Sequence, residues 1–260
     1  MTTPQATAPA HKYPIFRISL LCDIEIRDLY ALRGAISKIA GREHVLFHNH
    51  YDKDQFRYQY PLIQYRWYKD YPLLVCLGEG IVEVQNFFQS LGPEIDIRGE
   101  MKPIKVGETW FRLWPFNVWE NVRFRYTLKR WLPLNDHNYK KYIELTDKGD
   151  RQGIIELLQP ILIGNILSMA RGIEWEVPRQ ITVKIDDIWR VGAVRYKRHD
   201  GHNITKTAFN IDFTTNVYLP YYIGLGQKVS IGFGNLEPPR KSPSLDKERA
   251  EDESKAGALE

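Results

Sequence analysis

The sequence predicts an α+β fold divided into two mixed helix-and-sheet units. Short β-branched and aromatic runs alternate with helical stripes along the chain. Residues 92–107 are rich in glycine and proline and form the best candidate linker. A chain of 260 residues with 43% hydrophobic content can fill two small cores. We therefore expect domains at 1–105 and 106–237, followed by a disordered tail at 238–260.

The first unit is predicted to contain a strand, a helix, two further strands and a helix. The first helix has a stripe of apolar residues at helical spacing and Gly41 as its cap. The predicted ranges are 13–26, 28–40, 58–67, 73–77 and 81–91. This order fits a ferredoxin-like unit, in which helices cover one face of an antiparallel sheet.

The second unit is predicted to contain a strand, two helices and three further strands. The predicted ranges are 122–128, 138–145, 154–169, 181–188, 205–218 and 229–233. Pro160 should kink or break the second helix, because proline lacks the backbone N–H of a helical residue. The two units share no convincing sequence repeat, so the sequence does not establish a duplication.

Charge and cysteine content narrow the functional classes. Lysine and arginine number 36 against 32 acidic residues, and so mild an excess identifies a partner only where the charge is clustered. Cys22 and Cys76 lie in apolar runs without a CxxC pattern, which favours buried thiols over a structural zinc. We see no signal-like apolar core and no apolar run approaching about 20 residues, so we expect a cytoplasmic protein without a membrane partner.

His48 and His50 are the strongest candidates for chemistry. Three of the seven histidines fall within residues 44–50, just before a long aromatic and apolar run. Two imidazoles with ordinary pKa values of about 6.5 can supply an acid and a base near neutral pH. If the segment is extended, the two side chains share one face. Lys38 is a candidate for stabilising negative charge beside them.

A metal site is the weaker interpretation of the same segment. The pattern His48-x-His50-x-Asp52 resembles the start of the HxHxDH motif of metallo-β-lactamase-type hydrolases. Lys53 replaces the final histidine of that motif, and no downstream ligand pattern follows. We therefore predict neither a metal nor another cofactor.

Two clusters of basic residues lie among aromatic residues in the second unit. Arg123 and Arg125 lie on the strand face opposite Phe124 and are predicted to meet solvent or a phosphate backbone. The second cluster is predicted to form a hairpin that grips an RNA groove or a single strand, with a solvated hairpin as the alternative. Its candidate RNA-binding residues are Arg190, Arg195, Lys197 and Arg198.

A glycine-rich segment at residues 224–234 is the second informative stretch. Glycine lets a backbone approach a phosphate closely, so exposed N–H groups and a lysine would suit a polyanion, whereas a tight hairpin turn is the alternative. The sequence lacks the GxxxxGK[ST] pattern of a nucleotide-binding loop. The candidate RNA-binding residues here are Gly224, Gly226, Lys228, Gly232 and Gly234.

The glycine-rich segment resembles the C-terminal signature of repeat-associated RNA-binding (RAMP) proteins, in particular the CRISPR repeat-processing endoribonucleases of the sixth Cas family. The runs Tyr60-Pro61-Leu62-Ile63-Gln64-Tyr65-Arg66 and Leu77-Gly78-Glu79-Gly80 look like a variant of that family in which a histidine pair precedes the first run. The resemblance covers most of residues 13–237.

The resemblance implies two ferredoxin-like (RNA-recognition-motif-like) domains in tandem with antiparallel sheets. It also implies metal-independent cleavage of precursor CRISPR RNA within repeats, by 2′-hydroxyl attack that leaves a 2′,3′-cyclic phosphate and a 5′-hydroxyl. His48 and His50 occupy the matching acid–base positions. The implied partners are CRISPR repeat RNA, subunits of a CRISPR effector complex and a second copy of the chain. The alternative within the family is a non-catalytic RNA-binding subunit.

Overall fold

The structure is a computed structural model that describes residues 10–41, 45–48, 50–52, 55–56, 60–197 and 202–240, with the backbone alone at 45, 48, 50–52, 55–56 and 197. A 3-10 turn at Ile26–Asp28 precedes the first helix. The elements of the first half are β1 (His11–Leu21), α1 (Leu29–Ala40), α2 (Val45–His48), β2 (His50–Asp52), β3 (Gln55–Phe56), β4 (Ile63–Tyr68), β5 (Tyr71–Leu77), α3 (Gly80–Ser90), β6 (Glu94–Ile97), β7 (Glu100–Pro103) and β8 (Lys105–Phe116).

The first sheet confirms the ferredoxin-like prediction. Its strand order is β4-β5-β1-β8, and all neighbouring strands are antiparallel. Numbered among themselves along the chain, these four strands have the order 2-3-1-4, with α1 after the first strand and α3 after the third. Leu32 and Ile36 of α1 and Val84 of α3 pack against the sheet in one buried cluster, so both helices cover the same face.

The second half repeats this strand order. Its elements are β9 (Phe124–Trp131), α4 (Asp136–Asp147), α5 (Arg151–Gly172), β10 (Val183–Lys197), β11 (Asn203–Thr215) and β12 (Asn235–Glu237). The sheet order β10-β11-β9-β12 is again 2-3-1-4. Asn135 and Asp150 cap α4 and α5 by accepting backbone N–H bonds three residues on. Turns and isolated bridges occupy residues 216–234, where the first half has its second helix.

The apolar core is continuous across the two domains. Ile15, Val75 and Leu77 of the first sheet belong to the same buried cluster as Leu158 and Phe213 of the second domain. The first sheet therefore lies between its own helices and the second domain. The central strand β5 is buried on both faces from Pro72 to Leu77, which explains its long apolar run.

Helix α5 differs from its prediction in two respects. The helix is not broken at Pro160, so of the predicted kink or break only the break is excluded. Pro160 is exposed, so water can hydrogen-bond the carbonyl that lacks its helical partner. In the described part of the chain it is also the one helix long and apolar enough to cross a membrane by length and composition. Its residues Leu158, Leu162 and Ile166 are fully buried in the core.

Two predicted boundaries also differ from the structure. Residues 94–103 form the hairpin β6–β7, and β8 pairs with β1 from Phe116 to Lys105. Residues 106–116 therefore belong to the first domain, and the boundary lies near Asn117. The predicted strand at 229–233 is a turn with one isolated bridge, from Ile231 to Tyr65, and β12 is the last strand instead.

A buried arginine joins the two domains. Arg66 of β4 is fully buried and donates from Nε to the Tyr222 carbonyl at 3.1 Å and from Nη1 to the Phe233 carbonyl at 2.8 Å. Its Nη2 donates at 2.7 Å to Gln64 Oε1, which also accepts the Gly224 N–H at 2.9 Å. Burial lowers the pKa of Arg66 to about 10, so the guanidinium stays charged at neutral pH.

Neighbouring residues of the same run extend this contact. The Tyr60 hydroxyl donates to the Gly224 carbonyl at 2.8 Å, and burial raises the pKa of Tyr60 to about 12, which keeps that donor protonated. The Tyr65 N–H donates to the Ser230 carbonyl at 3.3 Å. We call residues 60–66 and 222–234 together the domain lock.

Gly224→Ala should lower the free energy of unfolding by about 1–3 kcal/mol, because the new Cβ would overlap Arg66 Nη2 and force the buried guanidinium from its acceptors. Gly192→Ala is the matched control, since no atom lies within 4 Å of a Cβ there. Urea unfolding of both variants measures the difference. Equal stability of the two variants would contradict the lock.

Candidate nucleic-acid interface

The histidine segment is held to the C-terminal end of α1. Ser37 Oγ donates to the Phe47 carbonyl at 3.2 Å, and the buried Phe47 ring lies 5.7 Å from the Phe87 ring. His48, the next residue, ends α2, and His50 begins β2. The pair is therefore not part of one extended strand, so the argument that the two residues share a face does not hold. Their side chains lie outside the described residues.

Lys38 lies at the same end of α1 as this segment. It is exposed in the last turn of the helix and follows Ser37, whose hydroxyl anchors the residue before His48. The structure thus brings the backbone of His48 beside the helix that carries Lys38. A lysine in the last turn of a helix also stabilises the helix dipole.

Metal ligation in this segment is untested. Among the side chains that the structure describes, no group of three His, Cys, Asp or Glu residues could hold a metal ion. The side chains of His48, His50 and Asp52 are not among them. The metal alternative therefore stays a prediction.

The glycine-rich segment packs inside the protein. The Gly224 N–H donates to Gln64, and the Gly234 N–H donates to the Arg130 carbonyl at 3.0 Å. Both glycines are buried, so the prediction that their exposed N–H groups bind a polyanion is wrong.

The other two candidate glycines also make close protein contacts. A Cβ at Gly226 would lie 2.7 Å from the Trp131 ring, and one at the buried Gly232 would lie 2.9 Å from Leu29. Leu29 begins α1, so this contact is about 12 Å along the helix from Ser37. The glycine-rich segment and the histidine segment therefore meet α1 at different ends.

Strands β10 and β11 form the predicted basic hairpin, but its positive charges are divided between the two faces of the hairpin. Strands β10 and β11 pair regularly from Arg190–Asn210 to Lys197–Asn203. Residues two apart share a face, so Arg190 lies on the face of Tyr196, whereas Arg195 and Lys197 lie on the other. Arg190 and Arg195 are exposed. The Lys197 side chain and the whole of Arg198 lie outside the described residues.

Tyr196 brings this hairpin to the glycine-rich segment. Its ring lies 5.8 Å from the Phe233 ring, Lys228 Nζ lies 5.4 Å from the Tyr196 ring, and the Arg130 guanidinium lies 4.5 Å from the Phe233 ring. Burial lowers the pKa of Arg130. We call Arg130, Tyr196, Lys228 and Phe233 the Tyr196 cluster. Phe233 is buried, so Arg130, Tyr196 and Lys228 are the accessible members of this cluster. Cations beside aromatic rings are typical of surfaces that bind single-stranded nucleic acid.

The remaining two candidates differ from each other. Arg123 Nη1 donates to the carbonyls of Glu120 at 2.8 Å and Val122 at 3.1 Å, which holds this guanidinium against its own chain. Arg125 is exposed on β9, and its neighbour Phe124 lies 5.1 Å from the Tyr218 ring. Arg125 is thus the better placed of the two to meet a phosphate.

Two antiparallel sheets of one strand order, with a glycine-rich segment before the last strand, define a protein of two ferredoxin-like domains in tandem. Family models match both halves, the Cas6b N-terminal domain over residues 11–109 and the Cas6b C-terminal domain over residues 118–238. The gap between the two models coincides with the boundary near Asn117. The chain belongs to the Cas6b family.

Two solved structures share this fold, and one further protein is similar to part of the chain. A crystal structure of Cas6b has 24% identity and a TM-score of 0.68, covering 86% of this chain and 99% of its own. One of a CRISPR RNA processing endoribonuclease Cas6b has 23% identity and a TM-score of 0.55, covering 86% and 98%. Both show the shared fold. An uncharacterized protein of Methanocaldococcus jannaschii, MJ0978, is 32% identical over 144 residues, which are 55% of this chain and 90% of that protein.

Lys228→Gln combined with Arg190→Gln should reduce the slope of log affinity against log salt for single-stranded RNA by about 0.7 for each phosphate that these side chains neutralise. Arg123→Gln is the control and should change the slope less, because Arg123 is held against its own chain and is not part of the Tyr196 cluster. Fluorescence anisotropy at several salt concentrations measures both slopes. An unaltered slope in the double variant would remove this face of the hairpin from the RNA path.

Proposed function

We propose that this chain is a metal-independent endoribonuclease that cleaves precursor CRISPR RNA within its repeats. Membership of the Cas6b family supports the substrate, since a solved relative is described as a CRISPR RNA processing endoribonuclease. The observation that carries the site is the bond from Ser37 to the Phe47 carbonyl, which fixes the entry to His48 at the Lys38 end of α1.

The proposed reaction is an intramolecular transesterification. One imidazole of the pair His48 and His50 removes the proton of a ribose 2′-hydroxyl, whose oxygen attacks the adjacent phosphorus. The other protonates the departing 5′-oxygen as the P–O5′ bond breaks. The products are a 2′,3′-cyclic phosphate and a 5′-hydroxyl, and no external water or metal is consumed.

Lys38 is proposed to stabilise the extra negative charge of the pentacoordinate phosphorane. A flexible ammonium with three donors can follow the phosphoryl oxygens as the geometry changes. The Tyr196 cluster and the exposed Arg125 are proposed to hold flanking RNA. This division assigns bond-breaking to the first domain and much of the binding to the second.

His48→Ala and His50→Ala should each reduce the single-turnover cleavage rate of cognate repeat RNA by about 10²–10⁴-fold, because each removes one proton-transfer group. RNA affinity should change little. His137→Ala is the matched control, since His137 is exposed on α4. Rates measured across pH should lose one limb of a bell-shaped profile in each variant.

Lys38→Ala should slow cleavage by a smaller factor, about 10-fold, without displacing either limb of the pH profile. Lys38→Arg should restore part of the rate, because the positive charge is retained. A rate equal to that of the unaltered protein would remove Lys38 from the reaction.

The same assay separates the alternatives. Full cleavage with excess chelator supports the metal-free reaction, whereas loss of cleavage with chelator would replace it with the hydrolase that uses His48, His50 and Asp52. Tight binding of cognate RNA without cleavage under any condition would assign the chain as a non-catalytic RNA-binding subunit.

A further inference from the structure

Arg17 is a partly buried cation on the inner face of the first sheet. Along β1, Ile18 and Leu20 face α1 and α3, whereas Arg17 and Ser19 alternate with them and point to the other face. Arg17 lines a cavity with Ser19 and with Tyr222 of the second domain. The cavity is thus on the side of the sheet opposite the helix that carries Lys38.

The Arg17 guanidinium lies among aromatic rings. It is 4.1 Å from the Trp110 ring centre and 5.4 Å from that of Tyr222. Nε and Nη2 are buried without a hydrogen-bond partner, and no carboxylate forms an ion pair with Arg17 in the described part of the chain. Burial lowers the pKa of Arg17 to about 10, which leaves it charged at neutral pH.

The cavity beside Arg17 has the size and lining of a ligand site. Its volume is about 360 Å³, which falls within the range typical of small-molecule pockets. The single carboxylate among its lining residues, Glu108, is paired with Lys69 at 3.3 Å. The lining consists of Arg17, Ser19, Tyr68, Leu73, Glu108, Thr109, Trp110 and Tyr222.

We propose that this cavity is a phosphate-binding pocket for one nucleotide unit, with the phosphate on the Arg17 guanidinium and the base or sugar against the aromatic walls. The Arg17 side chain lines this cavity, and phosphate oxygens match the planar donor fork of a guanidinium. Aromatic rings bind nucleobases without sequence preference. The nucleotide comes either from RNA that passes between the domains or from a free mononucleotide.

The test is calorimetric titration of the full-length protein with AMP and, separately, with a short single-stranded RNA. Arg17→Met should weaken binding of at least one of them by about tenfold or more, because the variant has no charged donor for the phosphate. Arg17→Lys should give an intermediate affinity. Arg112→Met is the matched control, since the exposed Arg112 lies 5.1 Å from the Trp114 ring on neighbouring β8 but does not line the cavity.

Thermal unfolding separates binding from a structural role. Removing a partly buried charge whose Nε and Nη2 lack acceptors should leave the melting temperature of Arg17→Met unchanged or higher. A fall of several degrees, with ligand affinity retained in Arg17→Lys and Arg17→Met, would make Arg17 a packing residue and overturn the pocket.

The two ligands identify the source of the phosphate. AMP binding that depends on Arg17 assigns a mononucleotide site, and an effect on RNA alone assigns an RNA contact. Unchanged affinity for both overturns the proposal. These binding measurements do not depend on cleavage. A protein that fails to cut RNA would refute the proposed reaction but would not decide whether the pocket binds a phosphate.

Discussion

The burial of Arg66 is the constraint on which the two-domain arrangement depends. A guanidinium removed from water must find acceptors, and here they are the carbonyls of Tyr222 and Phe233 and the Gln64 side chain. A helix would have used those carbonyls internally. The segment before β12 is therefore a chain of turns, unlike the helix at the equivalent place in the first domain. Glycine at 224 leaves room for the guanidinium.

This constraint changes the meaning of the glycine-rich segment. Its N–H groups at Gly224 and Gly234 are occupied by protein acceptors, so the segment acts first as a structural joint. It nevertheless presents Phe233 and Lys228 to Tyr196 of the long hairpin. Residues 224–234 thus contain both buried residues that join the domains and an exposed lysine. Which of the two roles a residue has depends on the face of the segment on which it lies.

The elements predicted well are those fixed by local chemistry. The first helix was predicted at 28–40 with Gly41 as cap, and α1 runs Leu29–Ala40 with Gly41 at a φ of 91°. The hairpin around residue 70 and the order of the first domain were also confirmed. The prediction of the domain boundary at residue 105 failed where a distant partner decides, because β8 pairs with β1, about a hundred residues earlier in the chain. The predicted break at Pro160 is absent, since α5 runs through this exposed residue.

The sequence by itself determined the α+β class, most helices and strands, the histidine pair and the family resemblance, since periodicity, caps and short motifs are properties of neighbouring residues. Only the tertiary structure decided that both sheets have one strand order, that Arg66 holds the glycine-rich segment, that the basic hairpin divides its charges between two faces and that Arg17 lines a cavity. Each of these depends on pairing or burial between residues far apart in the chain. The type of a side chain determines which partners it can bind. The fold determines whether its partner is water, another part of the protein or a ligand.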